Sequence, residues 1–102
     1  MARLERVDAK GKFTMGKLVM TRGVCDRVAE DTGFAEFVAL NLTRHLKGDW
    51  GDLSQEDKAA NSGALIKGGR LLSAYINGDL PKIWIITEAD RSATTILFPE
   101  EY

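Results

Sequence analysis

Residues that form covalent or metal cross-links are scarce in this sequence. Its 102 residues include one cysteine, Cys25, and one histidine, His45. A single cysteine cannot form an internal disulfide, and these two residues do not make up a zinc site. We therefore expect no metal and no cofactor. The fold must be held together by its own apolar core, which a chain of about this length can form unaided.

Long apolar runs and an excess of charge of one sign are also absent. No stretch approaches the roughly 18 apolar residues of a membrane span, and the early mixture of charges does not fit a signal peptide. The 14 Lys and Arg against 15 Asp and Glu give a net charge of −1, whereas wrapping by nucleic acid needs a strong basic excess. We therefore expect a cytoplasmic protein with neither a membrane nor a nucleic acid as its partner.

What remains is the composition of one small globular domain, with 44% hydrophobic and 28% charged residues. Dense charges before Phe13 predict a flexible tail at residues 1–12 and a single domain at residues 13–102. The tail and the residues that follow it are locally basic. Binding of DNA through this region is the weakest of our hypotheses, because the rest of the chain is acidic.

Apolar residues at helical spacing predict two helices in the first half of the chain. Val24 and Val28 lie on one face of a short helix after Thr21, and Cys25 beside them is expected in the core. A longer helix is predicted at residues 33–47, because four apolar residues recur every four positions. These residues are Phe34, Val38, Leu42 and Leu46.

The next helix is indicated by signals at both of its ends. Ser54 precedes Gln-Glu-Asp, which places a capping hydroxyl and two carboxylates at a helix start. The helix should continue to about Lys67, because two glycines follow at residues 68–69.

The last third of the chain consists of β-prone runs, at residues 70–76, 82–87 and 94–98. The run 83–86, Ile-Trp-Ile-Ile, is apolar on both faces and so belongs in the middle of a sheet. With another strand at 17–21, we predict an α+β fold: a three-stranded antiparallel meander plus an N-terminal strand, with two to three helices packed on one face. An edge strand, 17–21 or 94–98, could pair two copies into a homodimer.

The loop that holds Asp49, Trp50 and Asp52 is the first candidate site. Two carboxylates beside an indole could act as acid and base or bind a divalent cation. The structural alternative is favoured, because the acidic ladder of an EF-hand is absent. In that alternative Trp50 fills a gap between helices and sheet, while the aspartates cap Gly51 and the next helix.

The turn that holds Glu88, Asp90 and Arg91 is the second candidate. Its carboxylates and guanidinium could bind a polar ligand, or Arg91 could simply pair with one of the two carboxylates. Arg70 opens a strand, and we expect it to pair with Asp52 or Glu56.

Two further polar residues are singled out by their positions. Asn61 lies in the middle of a helix, where its propensity is poor, and we expect it to reach the loop at residues 49–52. His45 near a helix end has no partner that the sequence identifies, so it has no predicted catalytic role.

Four segments carry a resemblance to a known family: GDWGDL at residues 48–53, EDKAAN at 56–61, RLLSAY at 70–75 and IWIITEADRSATTILFPEEY at 83–102. With them the chain resembles small bacterial plasmid-related proteins of unknown function, some of which bear the name of a type I restriction endonuclease subunit. The resemblance is strong over the C-terminal half and extends to residues 17–47 in general layout. It implies a mobile-element setting but brings no catalytic residue. The restriction name has no support, because the chain has no P-loop, methyl-donor fingerprint or recognisable nuclease carboxylate–lysine spacing.

Two hypotheses of function follow. The first is a small non-enzymatic interaction module, a protein-binding accessory factor of a mobile genetic element, because no nucleophile, base and orienting residue can be assembled from the sequence. The alternative is a small hydrolase, transferase or ligand-binding domain. Its polar site would combine the loop at 49–52, Arg70 and the turn at 88–92, and it requires these groups to converge around a cavity.

Overall fold

The computed structural model describes residues 11–102, so the prediction for residues 1–10 lies outside them. The main-chain N–H of Lys12 donates to Leu46 O at 2.8 Å. The described residues form four strands, three helices and a 3-10 turn: β1 (Lys17–Met20), α1 (Arg22–Glu30), α2 (Thr32–Leu46), α3 (Gln55–Lys67), β2 (Leu71–Asn77), β3 (Leu80–Thr87), β4 (Ala93–Leu97) and Pro99–Glu101.

The four strands form one mixed sheet in the order β1-β4-β3-β2. Strands β2, β3 and β4 are antiparallel neighbours, so the predicted meander and the central position of β3 are confirmed. The N-terminal strand joins the sheet parallel to β4. Strand β4 is therefore internal, and the expectation that residues 94–98 could be an edge strand is wrong.

Local capping explains where α2 begins and where α3 begins and ends. The Asp31 carboxylate accepts a hydrogen bond from Phe34 N at 3.1 Å, and α2 accordingly begins one residue earlier than predicted. Ser54 caps α3 by accepting from Asp57 N at 3.1 Å. Gly68 ends that helix with a φ of 87°, the left-handed conformation that glycine adopts easily, so the predicted ends of α3 are confirmed.

The sheet has an inner face that packs against α1 and α2. The core formed there contains Val24, Phe34, Phe37 and Val38 from the helices and Tyr75, Ile83, Ile85 and Ile96 from the strands. Cys25 is exposed, so its predicted place in the core is wrong. The opposite, outer face carries Leu72, Trp84 and Ile86. The strand register places these three residues on one face, because directly paired residues share a face.

Candidate functional site

The Asp49 carboxylate already accepts hydrogen bonds from other groups of the protein. Arg44 donates two hydrogen bonds to it, from Nε to Oδ2 at 2.8 Å and from Nη2 to Oδ1 at 3.1 Å. The main-chain N–H of Gly51 donates a third, at 3.2 Å. The hydrogen bonds from Arg44 are the main cause that lowers the pKa of Asp49, so this carboxylate stays ionised as the anchor of its loop.

Asp52 closes part of the outer edge of β2. Its Oδ2 accepts a hydrogen bond from Ile76 N at 2.9 Å, and its own N–H donates to Ala74 O at 2.7 Å. Ala74 N in turn donates to Trp50 O at 3.3 Å. The expectation that Asp52 caps the next helix is wrong, because Ser54 has that role.

Asn61 closes the rest of the same edge. Its Nδ2 donates to Leu72 O at 2.5 Å, and its Oδ1 accepts from Leu72 N at 3.1 Å. It therefore binds strand β2 instead of the loop at residues 49–52, where we had expected it. A side-chain amide that mimics a neighbouring strand satisfies both backbone groups, which explains a poor helix former in the middle of α3.

Trp50 was predicted to fill a gap between helices and sheet, and its side chain is buried. It is 5% exposed. Its ring stacks on Phe13, with 6.4 Å between ring centroids, and meets His45 edge-on at 5.7 Å. Because the indole is buried in this aromatic cluster, it offers no surface to a ligand.

Arg91 holds the turn after β3 against the end of α3. It has a φ of 62°, which is uncommon for a residue with a side chain. Neither carboxylate of the turn pairs with it, contrary to one of our expectations. Its guanidinium instead donates to four main-chain carbonyls at 2.6 to 3.3 Å, those of Gly69, Glu88, Ala89 and Ala64.

Asp90 at the tip of this turn is used locally. Its Oδ1 accepts a hydrogen bond from Ser92 N at 3.0 Å. Hydrogen bonds from Ser92, first from its side chain and then from its main chain, lower the pKa of Asp90. The polar turn is therefore organised by its own backbone.

Arg70 lies at the other end of β2 from the loop at residues 49–52. It is 3.9 Å from the Glu88 carboxylate and donates to the Tyr102 hydroxyl at 2.9 Å. The expected pairing with Asp52 or Glu56 is wrong, since Asp52 binds near the far end of the strand, about 20 Å away at the usual rise per residue. The structure thus joins Arg70 to the turn at 88–92 and separates both from the loop.

The outer face contains an open groove next to Arg70. It has a volume of about 310 Å³ and is lined by Arg70, Leu72, Trp84, Ile86 and Tyr102. The Trp84 and Tyr102 rings meet edge-on, with 5.6 Å between centroids, and the Arg70 guanidinium lies over the Tyr102 ring at 5.4 Å. The groove is therefore a mainly apolar surface with one cation at its side.

A chain of hydrogen-bonded side chains crosses the core below the inner face. His45 Nδ1 lies 2.5 Å from Ser73 Oγ, and His45 Nε2 lies 2.9 Å from Thr87 Oγ1. Thr87 Oγ1 is 2.7 Å from Thr94 Oγ1, and Thr94 donates to Met15 O at 2.7 Å. All four side chains have 0% exposure.

The carbonyl oxygen of Met15 determines which group donates in each of these hydrogen bonds. Because Thr94 gives its only hydroxyl proton to the carbonyl of Met15, the Thr87 hydroxyl must donate to Thr94. His45 Nε2 must then donate to Thr87, and in the neutral ring this leaves Nδ1 to accept from Ser73. Neutral imidazole satisfies this pattern. Burial, and secondarily the charge of Arg91, lowers the pKa of His45 to about 4.

A serine that donates to a histidine is also the arrangement of an activated nucleophile, but this pair has no solvent-accessible surface. It serves the core instead. A usable signal for the pair was present in the strands: Ser73, Thr87 and Thr94 occupy inward-facing positions at the two-residue spacing of strands. A buried hydroxyl at such a position requires a polar partner.

Within residues 11–102 no cluster of acidic, histidine or cysteine side chains has the arrangement of a metal site. None of the helices there has the length and apolar character needed to cross a membrane. No family model, curated protein or solved structure matches the chain. The resemblance to plasmid-related proteins therefore remains a prediction.

Proposed function

We propose that this protein is a non-enzymatic module that binds a segment of another protein in the outer-face groove. The observation that supports this proposal is a contrast between the polar and apolar surfaces of the protein. The candidate polar groups bind within the chain, whereas Trp84 and Tyr102 present aromatic surface to solvent beside Arg70. The further proposal of an accessory role on a mobile genetic element rests on the sequence resemblance alone.

The groove favours a partner segment that presents one large apolar side chain next to a carboxylate. Its volume, about 310 Å³, is at the lower end of ligand-binding pockets and suits a single anchoring side chain. Aromatic rings are the side chains that most often dominate binding energy at protein interfaces. Arg70 is exposed along the rim and has guanidinium protons available for an acidic group.

The arrangement of the polar groups argues against catalysis. Asp49 binds Arg44, Asp52 binds the backbone of β2, and the His45–Ser73 pair is buried. Acid–base catalysis needs a group within hydrogen-bond reach of a bound substrate. None of these groups faces the groove.

A random-peptide library screened against the purified protein tests this proposal. Selected peptides should share an aromatic or large aliphatic residue beside Asp or Glu. Isothermal titration calorimetry should show that Trp84→Ala and Tyr102→Ala each weaken binding about tenfold or more, which is the loss typical of an interface anchor. Tyr102 is 69% exposed, so its removal leaves the core in place.

Leu40→Ala is the matched control, because Leu40 is 62% exposed on α2. This variant should bind the peptides as tightly as the parent. Peptides that bind equally to the Trp84→Ala and Tyr102→Ala variants would contradict the groove as the binding site. Turnover of a nucleotide or phosphoester that is lost on substitution of Asp52 or Asp90 would contradict the non-enzymatic function itself.

A further inference from the structure

No strand in the described part of the chain pairs with the outer edge of β1. Lys17 N donates to Ser92 O at 3.0 Å and Thr21 N to Ile96 O at 3.1 Å, so the alternate residues Leu18 and Met20 direct their backbone groups away from β4. Among residues 11–102 no group bonds to them. The edge of β1 therefore offers two N–H and two C=O groups.

The two edges of the sheet differ in how they are protected. The outer edge of β2 is covered by Asn61, Asp52 and the Trp50 carbonyl. On β1, Leu18 is 40% exposed and Val19 is 36% exposed. An open edge with exposed apolar side chains is a template for another strand.

We propose that the occupant of this edge is β1 of a second copy, paired antiparallel across a two-fold axis at Val19. In this register Leu18 of each copy lies opposite Met20 of the other. It is the register that uses all the outward backbone groups of both copies, in four hydrogen bonds. The result is a continuous sheet that runs through both copies.

Charge complementarity supports a second copy in this register. Lys17 would lie opposite Thr21 of the other copy on the same face of the sheet. The Thr21 hydroxyl holds the Glu101 carboxylate at 2.5 Å, and Gly23 N and Phe98 N each donate to that carboxylate at 3.0 Å.

In the proposed register, Lys17 of one copy would therefore lie next to the Glu101 carboxylate of the other, which its hydrogen bonds hold in place. Within residues 11–102 neither Lys17 nor Glu101 forms a salt bridge with another side chain. The two-fold axis would create two Lys17–Glu101 ion pairs, one at each end of the strand pair.

Sedimentation equilibrium of the full chain tests the pairing. The parent should show a concentration-dependent dimer. Val19→Lys should weaken dimerisation about tenfold or more, because it places two like charges beside each other on the axis. Leu40→Lys makes the same change at an exposed apolar residue of α2 and should leave the dimer intact.

Cysteine cross-linking tests the register. The exposed Cys25 is first replaced, as Cys25→Ser. Val19→Cys in that background should form a disulfide-linked dimer under mild oxidation, because facing residues of such a pair have Cα atoms about 4.5 Å apart, within disulfide range. Leu18→Cys should not, since it faces Met20 of the other copy.

Three results would overturn the inference. They are a parent chain that stays monomeric at every concentration, a dimer that Val19→Lys leaves unchanged, and cross-linking through Leu18→Cys in place of Val19→Cys. None of these outcomes bears on the groove, so this inference and the proposed function can fail separately.

Discussion

His45 Nδ1 accepts a hydrogen bond from the Ser73 hydroxyl at 2.5 Å inside a core that leaves both side chains without solvent contact. The histidine stands 28 residues before its partner in the sequence, and helix α2 and strand β2 bring the two together. Its second nitrogen is held by Thr87. The neutral imidazole therefore connects helix α2 to strands β2 and β3 through hydrogen bonds.

The first prediction is that the protein loses stability in mild acid. Burial lowers the pKa of His45 from 6.5 to about 4, so below pH 6.5 the unfolded chain binds a proton that the folded chain does not. The free energy of unfolding should be largest above that pH. It should fall by up to about 3 kcal/mol as the pH drops toward 4, as measured by urea unfolding.

His45→Gln is the control for this loss. The variant should be less stable at neutral pH and nearly constant in stability between about pH 6.5 and 4.5. Carboxyl groups do not obscure this range. Folding lowers the pKa of four of them from ordinary values of 3.8 for Asp and 4.5 for Glu, so their contribution to the free energy of unfolding is lost at lower pH. They are Asp31, Asp49, Asp90 and Glu101. An unchanged pH dependence in the variant would contradict the assignment to His45.

The second prediction concerns the buried threonines. Thr87→Val removes a hydroxyl that accepts from His45 and donates to Thr94. The partners left behind are buried, so the free energy of unfolding should fall by about 2 kcal/mol. Thr95→Val, on the outer face of the adjacent strand, should change it by less than about 0.5 kcal/mol. Equal effects of the two substitutions in urea unfolding would contradict the hydrogen-bonded chain.

The third prediction separates two glycines. Gly51 has a φ of 76°, and a Cβ there would collide with Ala74 O and the Tyr75 ring. Gly51→Ala should therefore destabilise the protein by about 2 kcal/mol or more. Gly63 lies within α3 with open space around it, and Gly63→Ala should stabilise by about 0.5 to 1 kcal/mol. Thermal unfolding of both variants gives opposite shifts if this placement is correct.

The fourth prediction concerns the protected edge of β2. Asn61→Ala removes both hydrogen bonds to Leu72. Hydrogen exchange at the Leu72 amide should become faster, and the free energy of unfolding should fall by about 2 kcal/mol. Ser62→Ala, at the exposed neighbouring position, should change neither quantity. An unchanged exchange rate at Leu72 in the Asn61 variant would mean that the amide is protected by other groups.

Much of the fold was predictable because its signals are local. Ser54 marks the start of α3 by accepting a hydrogen bond from the main-chain N–H of Asp57. Gly68 marks its end by adopting the left-handed conformation. The doubly apolar run at residues 83–86 identified the central strand. The parallel pairing of β1 with β4 was not predictable, because alternation of side chains shows that a strand exists and does not identify its neighbour.

The candidate site was harder to predict than the fold. Loop and turn residues of similar chemistry were expected to converge, yet Asp52 and Arg70 lie at opposite ends of β2. The groove is formed by side chains of β2 and β3, by Arg70 just before β2, and by Tyr102, which follows the 3-10 turn. Such a surface depends on strand register and on the path of the chain after β4, which no local pattern contains.

The covered edge of β2 also limits how far copies of this chain can assemble. A sheet that is blocked on one side can accept a neighbour only through β1, within the part of the chain described by the structure. In the proposed dimer, each copy presents only its covered β2 edge to the solution. Edge-to-edge growth through the described strands therefore stops at two copies.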